Sequence, residues 1–536
     1  MLQGGTISFL DIPSKINGMQ TKEYIEPTLV VAPVGEQSGG NGSPDLVALK
    51  SLFQDLLEHG VKYTHWKSNL RLNVSLQGRT DLDLLIAGED KQIFLKILAA
   101  HDVRLVRAAP GKDYPGIHNY LGHDPASGRM FHLHVHEKLV LGEQFVKNYH
   151  LPIEHLFLEH VTVRQGVKVP LPELEICVLS LRALLKYRDR DALKVILSIR
   201  SSGLPSHILA EIRWLYSQTS MERIEQMLEL AADAIPANVV REFLNTVMDK
   251  PRAGWKLLQL RRRVRQELSA YQRDSRWQAM WRYFRETWRR RASLRREPQR
   301  KMTLVQGGIT MAFVGADGSG KSTLAKEIKS WLGWKLDVAV YYLGSKAPSR
   351  KSRWLYQFFR MARRSQRIIS SRFGETSLLA RWSQGVAQAF LNEHHFSNGQ
   401  DRLGRYREGL RRAESGSIVI FDRFPLNSIL DGPKIIVSPD EKSGWFLRYL
   451  SNKERALYTN FSPPDIFYVL EVSPQASQQR KPDHSVEIIV QKCEAISELV
   501  NSAGHNQQRP KIVTVDADLP LVEVRRQLMD AIWTIL

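Results

Sequence analysis

The chain has 536 residues, 43% of them apolar, which is enough for about three domains, each with its own core, and excludes a small disulfide-stapled module. The two cysteines, Cys177 and Cys493, are far apart and in no Cys-x-x-Cys spacing, so they suggest neither a disulfide framework nor a cysteine zinc site, which fits a reducing compartment. The formal charge of +20 is concentrated, with net +13 over residues 252–301 and net +9 over 346–381, which makes those two segments the candidates for an anionic partner.

In chain order, residues 1–44 end in Gly35-Glu36-Gln37-Ser38-Gly39-Gly40-Asn41-Gly42-Ser43-Pro44 and are expected to be a flexible tail. Asp11 interrupts the one apolar stretch near the start, so no leader peptide is expected. No run approaches the ~18–20 apolar residues that span a bilayer. A cytoplasmic chain follows, with room for peripheral attachment to the inner face of a membrane.

Residues 45–169 read as an α+β domain. Leu46, Leu49, Leu52, Phe53, Leu56 and Leu57 have helical spacing, and strands are expected at Leu82–Ile86 and Met130–His136. Gly78-Arg79-Thr80-Asp81-Leu82-Asp83 puts two carboxylates on one strand face, because strand side chains alternate. Such a pair can hold divalent metal against a nucleoside triphosphate. Phe131-His132-Leu133-His134-Val135-His136 puts three imidazoles on one face of a second strand. Asp81, Asp83 and His134 are therefore candidate ligands of a mixed His/Asp metal site, which favours a transition metal over Mg²⁺. The competing reading is a half-exposed strand whose histidines hydrogen-bond to neighbours.

Gly78–Ile86 resembles the active-site strand of the nucleotidyltransferase superfamily. Lys67 and Ser68, in Lys67-Ser68-Asn69, stand where that superfamily commonly has Gly-Ser or Gly-Gly, and the resemblance makes them candidate nucleotide-binding residues. The domain would bind a nucleotide, with or without transferring it.

Residues 170–250 read as several helices with breaks near Gly203-Leu204-Pro205 and Pro236, and residues 251–303 as a basic amphipathic helical linker. Trp277, Met280, Trp281, Phe284 and Trp288 form a helical stripe among arginines, and Trp354, Leu355, Phe358 and Met361 form another. Three readings stand open: the aromatics pack on neighbouring domains, they dock on an anionic membrane surface, or they stack on nucleic acid.

Residues 304–536 carry the strongest motif. An apolar run, Ile309–Val314, leads into Gly315-Ala316-Asp317-Gly318-Ser319-Gly320-Lys321-Ser322-Thr323 and then into a helix-forming stretch. Glycines let backbone N–H groups face a phosphate, and the helix adds its positive end. Lys321 would reach the β- and γ-phosphates of ATP, and Ser322 would ligate Mg²⁺. Ser417–Phe421 is a second apolar strand that delivers Asp422 beside the loop as the Mg²⁺-side acid, with Arg423 and Phe424 next.

The loop with Asp317 at its third position, Asp422-Arg423-Phe424, and Pro463-Pro464-Asp465 before a strand together resemble thymidylate kinase over residues 304–536. The resemblance implies a three-layer α/β/α fold with a parallel sheet and transfer of the ATP γ-phosphoryl group. It implies that Arg423 holds the acceptor phosphate, that Asp317 faces the acceptor sugar, and that Arg480 and Lys481 begin a lid that neutralises the transferring group. Pro425–Pro433 replaces the family's serine-rich segment, so the acceptor is left open, with Phe396, Arg402 and Arg405 as candidate readers. The whole arrangement is similar to bacterial proteins that pair a nucleotidyltransferase-like with a thymidylate kinase-like domain and are associated with surface-polysaccharide synthesis. Expected partners are a nucleotide and an unidentified phosphate-accepting small molecule. A nucleotide-dependent switch and a polynucleotide kinase are the alternatives.

Overall fold

The structure, a computed structural model, describes residues 44–143, 146–196, 203–249, 254–292, 301–344, 348–426, 429–435, 445–483, 485–503 and 511–536. The expected tail falls outside these residues except for Pro44.

Five strands of the N-terminal half are β1 (Tyr63–His65), β2 (Leu82–Ile86), β3 (Arg104–Arg107), β4 (Ile117–Asp124) and β5 (Arg129–His136). Two short hairpins follow, β6 (Leu139–Leu141) with β7 (Tyr149–Leu151) and β8 (Val161–Arg164) with β9 (Val167–Pro170). The main sheet runs β1-β2-β5-β4-β3 and is closed at its far edge by β10 (Thr303–Leu304), from the other side of the helical region. Within it β2 and β5 are parallel, with Asp83 opposite His134. Asp81 lies one residue before β2 rather than inside the strand, as the sequence pattern had placed it. Helix Val47–Glu58 covers the sheet with Leu49, Leu52, Phe53 and Leu56, the face its periodicity required.

The helical region is built on Pro172–Lys186, whose residues are almost all buried by the helices that follow. Pro205 and Pro236 immediately precede helices Ser206–Tyr216 and Ala237–Asp249, where a missing N–H costs nothing. Helix Gly254–Glu267 packs Leu257, Leu258, Leu260 and Val264 into the same core, so this part of the basic linker is an integral element.

The C-terminal half is a parallel sheet of β11 (Ile309–Gly315), β12 (Val338–Tyr342), β13 (Ile418–Asp422), β14 (Ile466–Glu471) and β15 (Lys511–Asp516), in the order β12-β13-β11-β14-β15. β11 and β13 read as unbroken apolar runs because helices cover both of their faces. Asp465 of the Pro-Pro-Asp motif takes no part in the site. Its Oδ2 accepts from the N–H and hydroxyl of Thr310, each at 2.7 Å, and so pins the start of β11 to β14. The chain leaves β11 toward one edge and later crosses to the other, so the carboxyl end of β11 is a switch point, where open α/β sheets bind ligands.

Between β12 and β13 a long helical hairpin projects, Arg350–Phe373 and Leu378–Glu414. Each helix starts at a serine N-cap, Ser349 accepting from Ser352 N–H and Ser377 from Ala380 N–H. Residues 45–536 form one compact unit. The core of the C-terminal sheet continues into Val106, Leu121 and Met130 of the N-terminal sheet, and His123 of β4 stacks edge-on against Trp331.

Candidate functional site

The loop Gly315–Thr323 sits at the carboxyl end of β11. Gly318 and Gly320 both have φ of 86°, a conformation that costs other residues and that turns the loop around what it holds. Helix Lys321–Leu332 begins directly on Gly320. The Lys321 ammonium donates to the carbonyls of Gly315 and Ala316, both at 2.7 Å, and lies 3.4 Å from Ser319 Oγ. Burial, aided by the nearby Arg423, pulls its pKa down to about 8.

The Ser322 hydroxyl donates to Asp422 Oδ2 at 2.8 Å. The other oxygen, Asp422 Oδ1, is buried and has no hydrogen-bond partner among the described residues. A buried carboxylate oxygen left open beside a hydroxyl fits a Mg²⁺ ion, because an anionic oxygen out of water needs a cation or a donor.

Arg423 adopts φ of 65°, rare for a residue with a side chain and characteristic of functional sites. Its guanidinium stands 3.5 Å from Asp317 and 3.7 Å from Asp431, with its charge over the Tyr342 ring. Asp317 also pairs with Lys492. Burial alone would raise the Asp317 carboxyl, but Lys492, Lys321 and Arg423 hold it below its ordinary value, so it is ionised. Arg402 is buried beside the same pocket, bonded to the Asp431 carbonyl and to Tyr458 Oη at 2.7 Å, and Arg405 reaches the Gly344 carbonyl at 3.4 Å.

Phe396 is half-buried on the same long helix. Arg480 meets the loop from above but is tied down, donating to the Ala517 carbonyl at 2.8 Å and toward that of Gly318 at 3.4 Å. Lys481 is exposed. The sequence reading missed Lys492, Asp431, Tyr342 and Tyr458, which belong to no motif and reach the pocket from separate elements.

In the N-terminal half, β2 and β5 bring the expected residues together. Asp83 Oδ1 lies 2.7 Å from Lys67 Nζ, 2.8 Å from His134 Nδ1 and 3.5 Å from His136 Nε2. Asp81 Oδ1 lies 2.9 Å from His132 Nδ1 and pairs with an ammonium from the other half, that of Lys335. Burial resists the charge on Asp83, yet Lys67 and the two histidines keep its carboxyl well below the usual range. Burial brings the His134 imidazole down to about 4, so it is neutral at pH 7.

Asp83, His134 and His136 offer three ligand atoms within 4.8 Å of one another. Asp81 is outside that group, and Lys67 occupies the Asp83 oxygen a metal would use, so a cation there must displace an ammonium. Ser68 has φ of 63° and begins the turn Asn69–Arg71, so the backbone at Lys67-Ser68-Asn69 takes a shape glycine would adopt freely.

Among the described residues the first aromatic stripe is open to solvent, whereas Phe358 of the second stacks on Phe390 of the neighbouring helix at 5.7 Å between ring centres. Trp277, Trp281, Phe284 and Trp288 are all at least 60% exposed. The hairpin turn carries Phe373, Leu378 (83% exposed), Leu379 and Trp382 (70% exposed) outward as well.

No protein-family profile matches the chain. Over 237 residues it is 28% identical to the uncharacterized ATP-binding protein YghR of Escherichia coli K12, covering 41% of this chain and 86% of that protein. YghS of the same strain is 24% identical over 242 residues, covering 44% and 97%. A probable thymidylate kinase 2 of Saccharolobus solfataricus is 26% identical over 173 residues, 32% of this chain and 63% of the relative. Among solved structures, deoxyadenosine kinase from M. mycoides with dCMP and dCDP aligns at 17% identity and a TM-score of 0.27, covering 42% of this chain and all of that one. The same kinase with dATP gives 18% identity and a TM-score of 0.25.

Proposed function

We propose that the C-terminal half is an ATP- and Mg²⁺-dependent phosphotransferase of the thymidylate kinase-like class, acting on a nucleoside monophosphate or a sugar or glycoconjugate acceptor. The observation that carries this reading is the pairing of a glycine loop and its Lys321 with the Ser322–Asp422 hydrogen bond, which leaves one buried carboxylate oxygen open. The similarity to ATP-binding proteins and to a probable thymidylate kinase supports it.

In this reading the backbone of Gly318, Ser319 and Gly320 cradles the phosphates, and Thr323 adds a hydroxyl in the first helical turn. Ser322 and Asp422 would hold Mg²⁺, which would supply positive charge against the phosphates. Arg423 leaves its carboxylate neighbours for the acceptor's phosphate, and Asp317 faces the acceptor's hydroxyls. An acceptor oxygen bonds to the γ-phosphorus while the bond to the bridging oxygen breaks, and ADP leaves with that electron pair; a phosphate acceptor attacks as its anion, and a hydroxyl acceptor gives its proton to solvent. Lys321 stabilises the charge that builds up on the transferring group. Arg480 acts only after releasing its carbonyls.

The N-terminal half is proposed as a nucleotidyltransferase-like nucleotide site, with Asp83 beside Lys67 and the histidine row as its supporting observation. The exposed aromatic tip of the helical hairpin is proposed to rest on an anionic lipid surface. It is flanked by Arg363, Arg364, Arg367, Arg372 and Arg381 with Glu375 as the one acid, so its charge complements lipid phosphates while its rings suit the headgroup boundary.

The deciding experiment is an ATP-turnover screen with Mg²⁺ over nucleoside monophosphates, sugars and sugar phosphates, with Lys321→Ala as control. Acceptor-dependent turnover that disappears in the variant supports the reading. Turnover that survives it, or none with any acceptor at a lipid surface, sinks the reading and leaves the nucleotide-dependent switch.

A further inference from the structure

A cavity of about 380 Å³ opens beside the N-terminal carboxylates, and its lining comes from both halves of the chain. Lys112, Tyr114, His132, His134 and Lys147 come from the N-terminal half, Lys301 from the segment before β10, and Trp334 and Lys335 from the turn after helix Lys321–Leu332. Four lysines face this space against one carboxylate, Asp81.

These cations outnumber the one carboxylate that lines the cavity. Lys335 reaches Asp81, and its ammonium also lies 4.7 Å from the centre of the Trp334 ring. Lys301 donates to the Gly333 carbonyl. The Lys147 ammonium lies 4.5 Å from the centre of the Tyr114 ring and has no carboxylate partner among the described residues. Lys67, close behind it, is already spent on Asp83. Burying charge without a partner is costly, so a cavity with more lysines than carboxylates on its wall favours an anion in it. Burial and the nearby Lys67 bring the Lys147 ammonium down to about 7, which expresses the same crowding.

The wall from the C-terminal half is rigid. Met302 N–H donates to the Lys335 carbonyl at 3.1 Å and Asp337 N–H to the Met302 carbonyl at 2.8 Å, so the strand entering that half and the turn leaving its first helix are stitched together at the cavity.

We propose that this cavity is a second anion site, completed by the C-terminal half, which binds the phosphate chain of a nucleotide or a free polyphosphate against Lys147, Lys301 and Lys335, with Tyr114 and Trp334 as aromatic walls. It deepens the nucleotide-binding reading of the N-terminal half by naming the residues that take the phosphates, and it gives that half a site that cannot be whole without Trp334 and Lys335. It does not depend on catalysis at either place. The volume is in the range of small-ligand pockets, and a ring beside a lysine serves both a base and its phosphates.

The test uses the full chain carrying Lys321→Ala, so that the glycine loop is disabled, and measures binding of inorganic triphosphate and of ATP by titration calorimetry. One saturable site is expected in that background. Adding Lys147→Ala and Lys335→Ala is expected to weaken it at least thirtyfold, while Lys335→Arg retains it within about threefold. Tighter binding of ATP than of triphosphate assigns a nucleotide, and equal binding assigns a free polyphosphate; both support the site. No saturable binding in the Lys321→Ala chain overturns the proposal. So does a change below threefold in the lysine variants at unchanged melting temperature. The phosphotransferase reading fails separately, by turnover that survives Lys321→Ala.

Discussion

Replacing Lys321 with alanine removes a cation whose surroundings set two opposed costs. The ammonium makes two 2.7 Å hydrogen bonds to loop carbonyls, and losing charged hydrogen bonds costs about 1.5–3 kcal/mol each. Against this, burial lowers the lysine from 10.5 to about 8, which corresponds to roughly 3 kcal/mol against the charged form at neutral pH. The difference is between zero and about 3 kcal/mol, so the melting temperature of Lys321→Ala should fall by a few degrees at most. Transfer has no such offset. Removing one preorganised donor from a developing anion costs on the order of 10²–10³ in kcat. The pH dependence follows from the same shift. The unfolded chain holds this proton up to about 10.5 and the folded, ligand-free chain only to about 8, so the lysine's contribution to stability rises with pH across that window. The ammonium that phosphates need is lost over the same range. Thus kcat/KM for ATP should fall as pH rises through about 8, and whatever activity Lys321→Arg retains should not follow that fall, since arginine stays charged. Steady-state kinetics from pH 6.5 to 9.5 with parallel melting curves decide it. Turnover of Lys321→Ala within tenfold of wild type, or a flat wild-type profile, refutes the reasoning.

Asp422→Asn keeps a hydrogen-bond acceptor for Ser322 but removes the anionic oxygen, so the Mg²⁺ needed for half-maximal turnover should rise at least tenfold with the melting temperature little changed; an unaltered Mg²⁺ titration counts against that residue's role. Glu175 is buried near Glu211, and burial first, then that second carboxylate, raises it to about 7 while it accepts from Asn69. The folded chain therefore holds a proton that the unfolded chain releases near 4.5, and stability falls as pH rises from about 4.5 to 7. Glu175→Gln should melt higher than wild type at pH 8 and the difference should shrink toward pH 5; no pH dependence would contradict the shift. At the hairpin tip, Leu378→Ser with Trp382→Ser should reduce flotation with vesicles of mixed anionic and neutral lipid by about tenfold, and neutral vesicles should bind neither protein. Equal flotation, or loss of a dimer in its place, would reassign that surface.

The parts of this molecule that could be read from its sequence are those whose geometry is local. A glycine loop between a buried strand and a helix needs nothing from elsewhere to take its shape, and Asp422 and Arg423 follow from the end of one strand. The alternation of β5 likewise places His132, His134 and His136 on one face. The hidden parts are pairings across long separations. Lys492 meets Asp317 from 175 residues away and Lys335 meets Asp81 from 254 away, and neither lysine carries a pattern of its own. β10 has two residues, too few for any periodicity, yet it carries the N-terminal sheet up to the first strand of the other half. The aromatic stripes illustrate a different limit. Spacing fixes that Trp277, Trp281 and Trp288 share a face, but whether that face is covered depends on what the rest of the chain brings to it.

Lys335 shows why those long-range pairings bear on function. It follows by three residues the helix that Lys321 begins, so one element carries the glycine-loop lysine at its start and a wall of the N-terminal cavity just past its end. A helix of 12 residues is about 18 Å long. That is short enough to link the two sites rigidly and too long for one nucleotide's phosphates to span. If both proposed sites hold, they would take separate ligands, and coupling between them would run through the packing of this helix against both sheets, where Trp331 meets His123.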